Sequence, residues 1–172
     1  LIGLPSSGLH TNGYALARTI CARLASAAGT SVADYLTTPL PELRGGTLGD
    51  ALLAPHTSYL AAVRTLRGVA SVRSIAHLTG GGWEGNLPRA LPPGLGAVVE
   101  RDAWTVPPVF RLLGDAGAVP EGERWKAWNM GIGLVAIVAP EDARAALRAL
   151  PDAIAIGHVE TRRGAAAGVR FA

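Results

Sequence analysis

Apolar residues recur at spacings of three, four and seven near the start of the chain, where Leu16, Ile20 and Leu24 run beside Ala17, Cys21 and Ala28. That period predicts an amphipathic helix. Thr11 or Asn12 is placed to cap it, and Gly29 fits the position after its last turn. Residues 1–12, rich in Gly, Pro, Ser and Thr, read as the loop that leads into it. Residues 30–55 have no clean period and carry Pro39, Pro41, Gly45, Gly46 and Gly49. They predict a long excursion holding a single helical turn, and an excursion of that length in a compact domain tends to be functional or mobile. A helix follows over 58–67, with Leu60, Val63 and Leu66 inward and Gly68 ending it.

Residues 72–78 read as a strand that stops at Thr79-Gly80-Gly81-Gly82, and 83–91 as a short helix broken by Pro88. A second strand is expected over 97–104. A helix over 106–116 is opened by Pro107 and Pro108 and closed by Gly117. After a polar stretch up to Asn129, residues 132–138 are continuously apolar, as a central strand should be. Residues 141–150 form a helix whose leading acids suit the helix dipole, and 154–159 and 169–171 are further strands. The last four elements make a βαβ-like unit with an added hairpin. The class is α+β, in α/β layers: a mixed β-sheet covered by helices.

Composition narrows this. With 49% apolar and 17% charged residues the chain can bury a core and is not a disordered polymer. Residues 1–172 are expected to form one domain. The lone Cys21 excludes a disulfide framework and any cysteine-based zinc site, which points to a reducing, cytoplasmic compartment. The longest apolar run, residues 131–139, is about half of the ~20 residues that a membrane helix needs, so no membrane span is expected, nor is a signal peptide visible. The chain lacks an initiator Met and opens inside what reads as a motif, as an excised domain would. The net charge is +3, and the arginines that dominate the basic residues are scattered. The adjacent pair Arg162 and Arg163 is too little for a nucleic-acid footprint.

Three segments carry candidate chemistry. Residues 3–14, GLPSSGLHTNGY, put hydroxyls, His10 and the Asn12 amide directly before a helix N-terminus. Free amides and the helix dipole there suit an anion; an N-capped turn with reversing glycines would have the same sequence. His10 has a reference pKa near ~6.5 that suits an acid, a base or a phosphate-directed donor. As a histidine in a glycine-rich surface loop, it is expected to bury little. Gly80, Gly81 and Gly82 expose amides at a strand end, a frequent place for ligands, although a bulge or tight turn reads the same. This second loop matches neither GxxxxGK[ST], since no Lys follows, nor GxGxxG. Asn129-Met130-Gly131-Ile132-Gly133 leads into the central strand, with Trp125 and Trp128 expected to pack or cover a rim. The four histidines have no metal-ligand spacing, no carboxylate pair is obvious, and no metal ligand is assigned.

Taken together, GLPSSGLHTNGY, GDALLAPHTSY (49–59), AHLTGGGWEGNLPRALP (76–92) and NMGIG (129–133) resemble the C-terminal domain of the phosphoribosylformylglycinamidine cyclo-ligase family, the aminoimidazole ribonucleotide synthetases of purine synthesis. The resemblance runs through nearly the whole chain. It implies the second half of a two-domain, homodimeric enzyme whose N-terminal, ATP-binding half lies outside this sequence. That family uses ATP, with Mg2+ held mostly by the other half, to phosphorylate the formyl oxygen of formylglycinamidine ribonucleotide, so that a nitrogen attacks and phosphate leaves. Carried over, His10 is the catalytic candidate, and Ser6, Ser7, Gly8, Asn12, Gly80, Gly81 and Gly82 are substrate and phosphate ligands. Asn129 and Gly131 border the nucleotide side. His56, Thr57 and Gly85 depart from the family's usual residues. The alternatives are another ATP-dependent enzyme of the superfamily, of the thiamine-phosphate kinase, selenophosphate synthetase or hydrogenase-maturation type, or a non-catalytic ligand-binding domain.

Overall fold

The computed structural model describes residues 1–162 and 168–172. Arg163 of the basic pair lies outside the described residues. The fold is α+β, but its strands divide between two sheets. The first has the order β2-β4-β1-β5, from β1 (Ile2–Pro5), β2 (Val72–His77), β4 (Ile132–Val138) and β5 (Ile154–Ala155). Its pairings are all antiparallel. The second is mixed: β3 (Leu95–Val99) lies antiparallel to β6 (Gly157–Thr161) and parallel to β7 (Val169–Phe171).

The unbroken apolar run of β4 follows from cover on both faces. Val135 and Ile137 belong to the main core. Ala136 and its register partner Ile2 face the other way, onto Leu66 of α4 (Leu60–Val69) and Ala146 of α8 (Ala143–Ala149). The main core takes Ala17, Ile20 and Cys21 from α1 (Tyr14–Ala27) and Val109, Phe110 and Leu113 from α6 (Pro108–Ala116). Aromatic rings join the layers. Trp83 of α5 (Gly82–Asn86) stacks on Trp104 at 5.6 Å, and Trp125 of α7 (Glu121–Ala127) meets Phe171 of β7 at 4.8 Å. Trp125 and Trp128 are both buried.

Several expectations are corrected. Residues 1–12 are not all loop, because Ile2–Pro5 is an inner strand. Gly3 hides it from a propensity reading, yet a Cβ there would meet Ile156 Cγ2 at 2.9 Å. Neither Thr11 nor Asn12 caps α1: both side chains turn back to the His10 carbonyl, and Gly13, at φ 70°, starts the helix without a side-chain cap. Residues 30–55 hold two helices, α2 (Val32–Thr37) and α3 (Leu48–Leu53), with a 3-10 turn at Pro41–Leu43. The signals were present as Ser31 before Asp34 and Thr47 before Asp50. Each hydroxyl accepts the backbone N–H three residues on, at 3.1 and 3.0 Å. α4 starts later than expected and runs through Gly68, and Leu60 is 58% exposed instead of inward.

The expected helix over 83–91 is α5 followed by a 3-10 turn, Leu87–Ala90. β3 ends at Val99, so Trp104 enters the core from a turn and not from a strand. The polar stretch before Asn129 conceals α7, whose Glu121 and Glu123 begin it and whose Arg124 and Lys126 end it. The expected strand over 154–159 splits at Gly157, whose φ of 138° sends the chain into the second sheet. β4, α8 and β5 therefore form a split βαβ unit with β1 inserted, and the added strands belong to the other sheet. Among the described residues no helix is long and apolar enough to cross a membrane.

Candidate functional site

β1 and β2 both run antiparallel to β4, so their C-terminal ends lie beside the start of β4. Topology alone thus brings the loop after β1 (residues 6–13), the loop after β2 (79–82) and the turn before β4 (129–131) to one end of the sheet. Asn129, 2% exposed, ties the first to the third. Its Oδ1 accepts from Ser6 Oγ at 2.9 Å and Gly131 N at 2.8 Å, and its Nδ2 donates to the Gly8 carbonyl at 2.8 Å. Trp83 Nε1 donates to the Asn129 carbonyl at 3.1 Å and links the second loop to the same point. Within that loop Asn86 Nδ2 reaches the carbonyls of Thr79, Gly80 and Gly82, and Thr79 Oγ1 donates to Asn86 Oδ1. The two glycine loops meet: a Cβ on Gly80 would lie 3.8 Å from Asn12 Oδ1.

The expectation of an exposed His10 is overturned, since it is 3% exposed, at φ 53°. Gly133 makes the room. A side chain there would strike Tyr59 Oη and come within 2.8 Å of His10 Nδ1. The segment 55–58 lies over the ring from the other side. His10 Nε2 accepts from Ser7 N at 3.0 Å and Thr57 N at 3.3 Å, and His56 stacks on the ring at 3.9 Å. Burial first, then the neighbouring His56 and His77, push its pKa down to about 4, so it is neutral near pH 7. Ser7 Oγ, 2.9 Å from Nε2, donates to the Pro55 carbonyl at 2.5 Å.

The site residues divide by what is open. Ser7, Gly80 and Gly81 are exposed, Ser6 and Asn12 half-buried, and Gly8, Gly82, Asn129 and Gly131 buried. Gly82 packs its backbone on the Trp125 carbonyl, and its N–H closes a turn onto Thr79 at 3.0 Å. The N–H groups of Ser6, Ser7 and Asn12 are also committed inside the fold. The N–H groups of Gly80 and Gly81 and those at the start of α1, whose first backbone bond is Ala17 N to the Gly13 carbonyl, are not committed in this way. On the far side of β1 a cleft of about 490 Å³ runs between Ser6, Ser7, Thr57, Tyr59 and Asp152.

Two side chains escaped the sequence reading. Tyr59 Oη donates to the Pro5 carbonyl at 2.7 Å, and burial pushes its pKa up. His77, at the end of β2, completes a group with His10 and His56 in which one ring nitrogen from each lies within 4.8 Å of the others. Their distances in the chain hid this. Gly133, two residues into the central strand in a GIG run, was the available signal of something large packed against it.

The chain is 41% identical over 173 residues to the phosphoribosylformylglycinamidine cyclo-ligase of Myxococcus xanthus, covering 98% of this chain and 48% of that protein. It is 43% identical over 145 residues to the chloroplastic phosphoribosylformylglycinamidine cyclo-ligase of Arabidopsis thaliana, covering 83% of this chain and 34% of the relative. The chain spans half or less of the length of these relatives. Among solved structures it is similar to E. coli HypE, a hydrogenase maturation protein, at 26% identity and a TM-score of 0.49, over 66% of this chain and 35% of that one. Residues 1–170 match the family described as "AIR synthase related protein, C-terminal domain", and the chain belongs to that family.

Proposed function

We propose that this chain is the C-terminal half of an ATP-dependent cyclo-ligase of purine biosynthesis, which closes the imidazole ring of formylglycinamidine ribonucleotide to give aminoimidazole ribonucleotide, ADP and phosphate. The observation that carries the reading is convergence. All four motif segments that resemble the family meet at one end of one sheet, although Gly8 and Asn129 are 121 residues apart. The catalysis asked of such a site is mostly positioning and neutralisation of charge. Asn12 Nδ2, with one hydrogen on the His10 carbonyl, keeps another for a phosphate oxygen beside the α1 amides. Gly80 and Gly81 border the same space without side chains. Ser6, Ser7, Gly8, Gly82, Asn129 and Gly131 shape it.

His10 acts here as a neutral acceptor that holds Ser7 and Thr57 in place. It reaches a substrate atom only when residues 55–58, which carry His56 over it, move aside. Mg2+ requires clustered oxygen ligands. Among the described residues no group of three or more carboxylates comes together, and no step is assigned to the ion. The N-terminal half would bring the metal-binding acids and most of the ATP site, and the complete protein would be a cytoplasmic homodimer.

The test is ADP release by the complete protein supplied with formylglycinamidine ribonucleotide and ATP. Turnover is expected, with none from the 172 residues alone, and a complete protein that releases no ADP in response to that substrate overturns the reading. His10→Asn separates positioning from proton transfer. It keeps a side-chain hydrogen-bonding group but does not titrate, so as a positioning change it should preserve far more activity than His10→Ala; proton transfer would be lost in both, by about 10²- to 10⁴-fold.

A further inference from the structure

We propose that His10, His56 and His77 form a binding site for a divalent transition-metal ion that prefers nitrogen ligands, with Zn2+ as its representative. The three come from separate elements: the loop after β1, the segment before α4, and the last position of β2. One ring nitrogen from each already lies within 4.8 Å of the others. Around a tetrahedral ion with Zn–N bonds of about 2.0–2.1 Å, neighbouring nitrogens sit about 3.3 Å apart. From up to 4.8 Å the nitrogens must close to that spacing, and the two exposed side chains, His56 and His77, have the room to turn, whereas His10 is buried.

The unpaired edge of His10 is the second observation. Its Nδ1 is buried and, among the described residues, has no hydrogen-bond partner. A buried polar atom left in that state is costly, and a metal takes a lone pair where the fold offers little else. Ser7 Oγ, 2.9 Å from Nε2, can then accept the hydrogen that shifts to that nitrogen, the supporting contact that metal-bound histidines use. With its hydrogen on Nε2 the ring no longer accepts there, so the shift releases both the Ser7 N–H, now at 3.0 Å, and the Thr57 N–H, now at 3.3 Å.

Metal binding also requires a rearrangement. His10 and His56 are stacked with their planes 17° apart, and one ion cannot lie in both ring planes. His56 therefore turns about its side-chain bonds to leave the stack and present a nitrogen. His77 stands at 56° to it, with ring centroids 5.2 Å apart, and needs less adjustment. Three imidazoles and one open position make a site for Zn2+, Co2+ or Ni2+ and not for Mg2+ or Ca2+, which take oxygen ligands.

The experiment titrates the complete protein with Zn2+ and, separately, with Co2+, near neutral pH and without nucleotide. It compares wild type with His56→Ala, His77→Ala and the double variant. Both positions are exposed, so the variants should keep the wild-type melting temperature in the absence of metal. Wild type is expected to bind one more Zn2+ than the double variant, and each single change should weaken that site by roughly tenfold or more. Wild type should also give the intense visible absorption of four-coordinate Co2+, and the double variant should not. Equal Zn2+ uptake and identical Co2+ spectra in the wild type and the double variant overturn the proposal. Neither readout depends on the cyclo-ligase reaction, so failure here leaves that reading intact, and the reverse.

Discussion

The two glycine-rich loops at the end of the four-stranded sheet look alike in sequence and are held in opposite ways. The loop at residues 79–82 is fastened by its own neighbourhood: Asn86, six and seven residues from Gly80 and Thr79, gathers their carbonyls. The loop at residues 6–13 is fastened from far along the chain, by Asn129 across 121 residues and by Thr57 across 47. A local clasp forms with its helix. A distant one exists only after β1 has entered the sheet between β4 and β5, so the first loop acquires its shape with the fold and not before it.

The largest expected effect comes from cutting the distant clasp. Asn129→Ala leaves the buried Gly8 carbonyl and Gly131 N–H, and the half-buried Ser6 hydroxyl, without their partner. At about 1–3 kcal/mol for each buried group left unsatisfied, a loss of about 3 kcal/mol or more is expected. Urea unfolding should show it as a lower midpoint at unchanged slope. Asn86→Ala should cost less, about 2 kcal/mol, because the exposed Gly80 carbonyl region can turn to water. A larger loss for Asn86→Ala than for Asn129→Ala would reverse the comparison.

The same contrast explains what was legible in the sequence. α1, α6 and β4 were readable because each is a run of residues that answers to its own period. Local clues also existed for α2 and α3, as Ser31 with Asp34 and Thr47 with Asp50, although prolines and glycines around them masked the pattern. β1 was not readable, because four residues that include Gly3 and Pro5 become a strand only between two partners. For the same reason the motif around His10 was visible while its burial was not. The room for its ring is made by Gly133, and its cover comes from residues 55–58, neither of which lies near it in the chain.

The next effect is on pH dependence. Burial, then the neighbouring histidines, lower the pKa of His10 in the folded protein to about 4, below its unfolded value near 6.5. Between those values the unfolded state binds the extra proton, so stability is full above about pH 6.5 and falls as the pH drops toward 4. One such proton gives a slope of at most about 1.4 kcal/mol per pH unit. His77, lowered by burial and by His56, adds in the same direction. His10→Asn should flatten the curve of urea midpoint against pH in that window. A curve as steep as that of wild type would move the titration from the first loop to other groups.

The smallest expected effect sharpens the comparison most, because it separates holding the loop from holding a ligand. Ser6 donates its hydroxyl hydrogen to Asn129 Oδ1, which also accepts from Gly131 N. Ser6→Ala removes one of these two contacts and leaves the Asn129 oxygen satisfied, so a loss of about 0.5–1 kcal/mol in stability is expected. A phosphate or sulfate needs donors, and the hydrogen of Ser6 is already committed inside the loop. Sulfate affinity should therefore change by less than about twofold in Ser6→Ala, by the 1.4 kcal/mol per tenfold relation well under one kcal/mol. Asn12→Ala, which removes a side-chain hydrogen still open to the site, should weaken sulfate clearly more in the same titration. Equal losses in the two variants would mean that the first loop breaks its own clasp to bind, and that its distant fastening is a resting state.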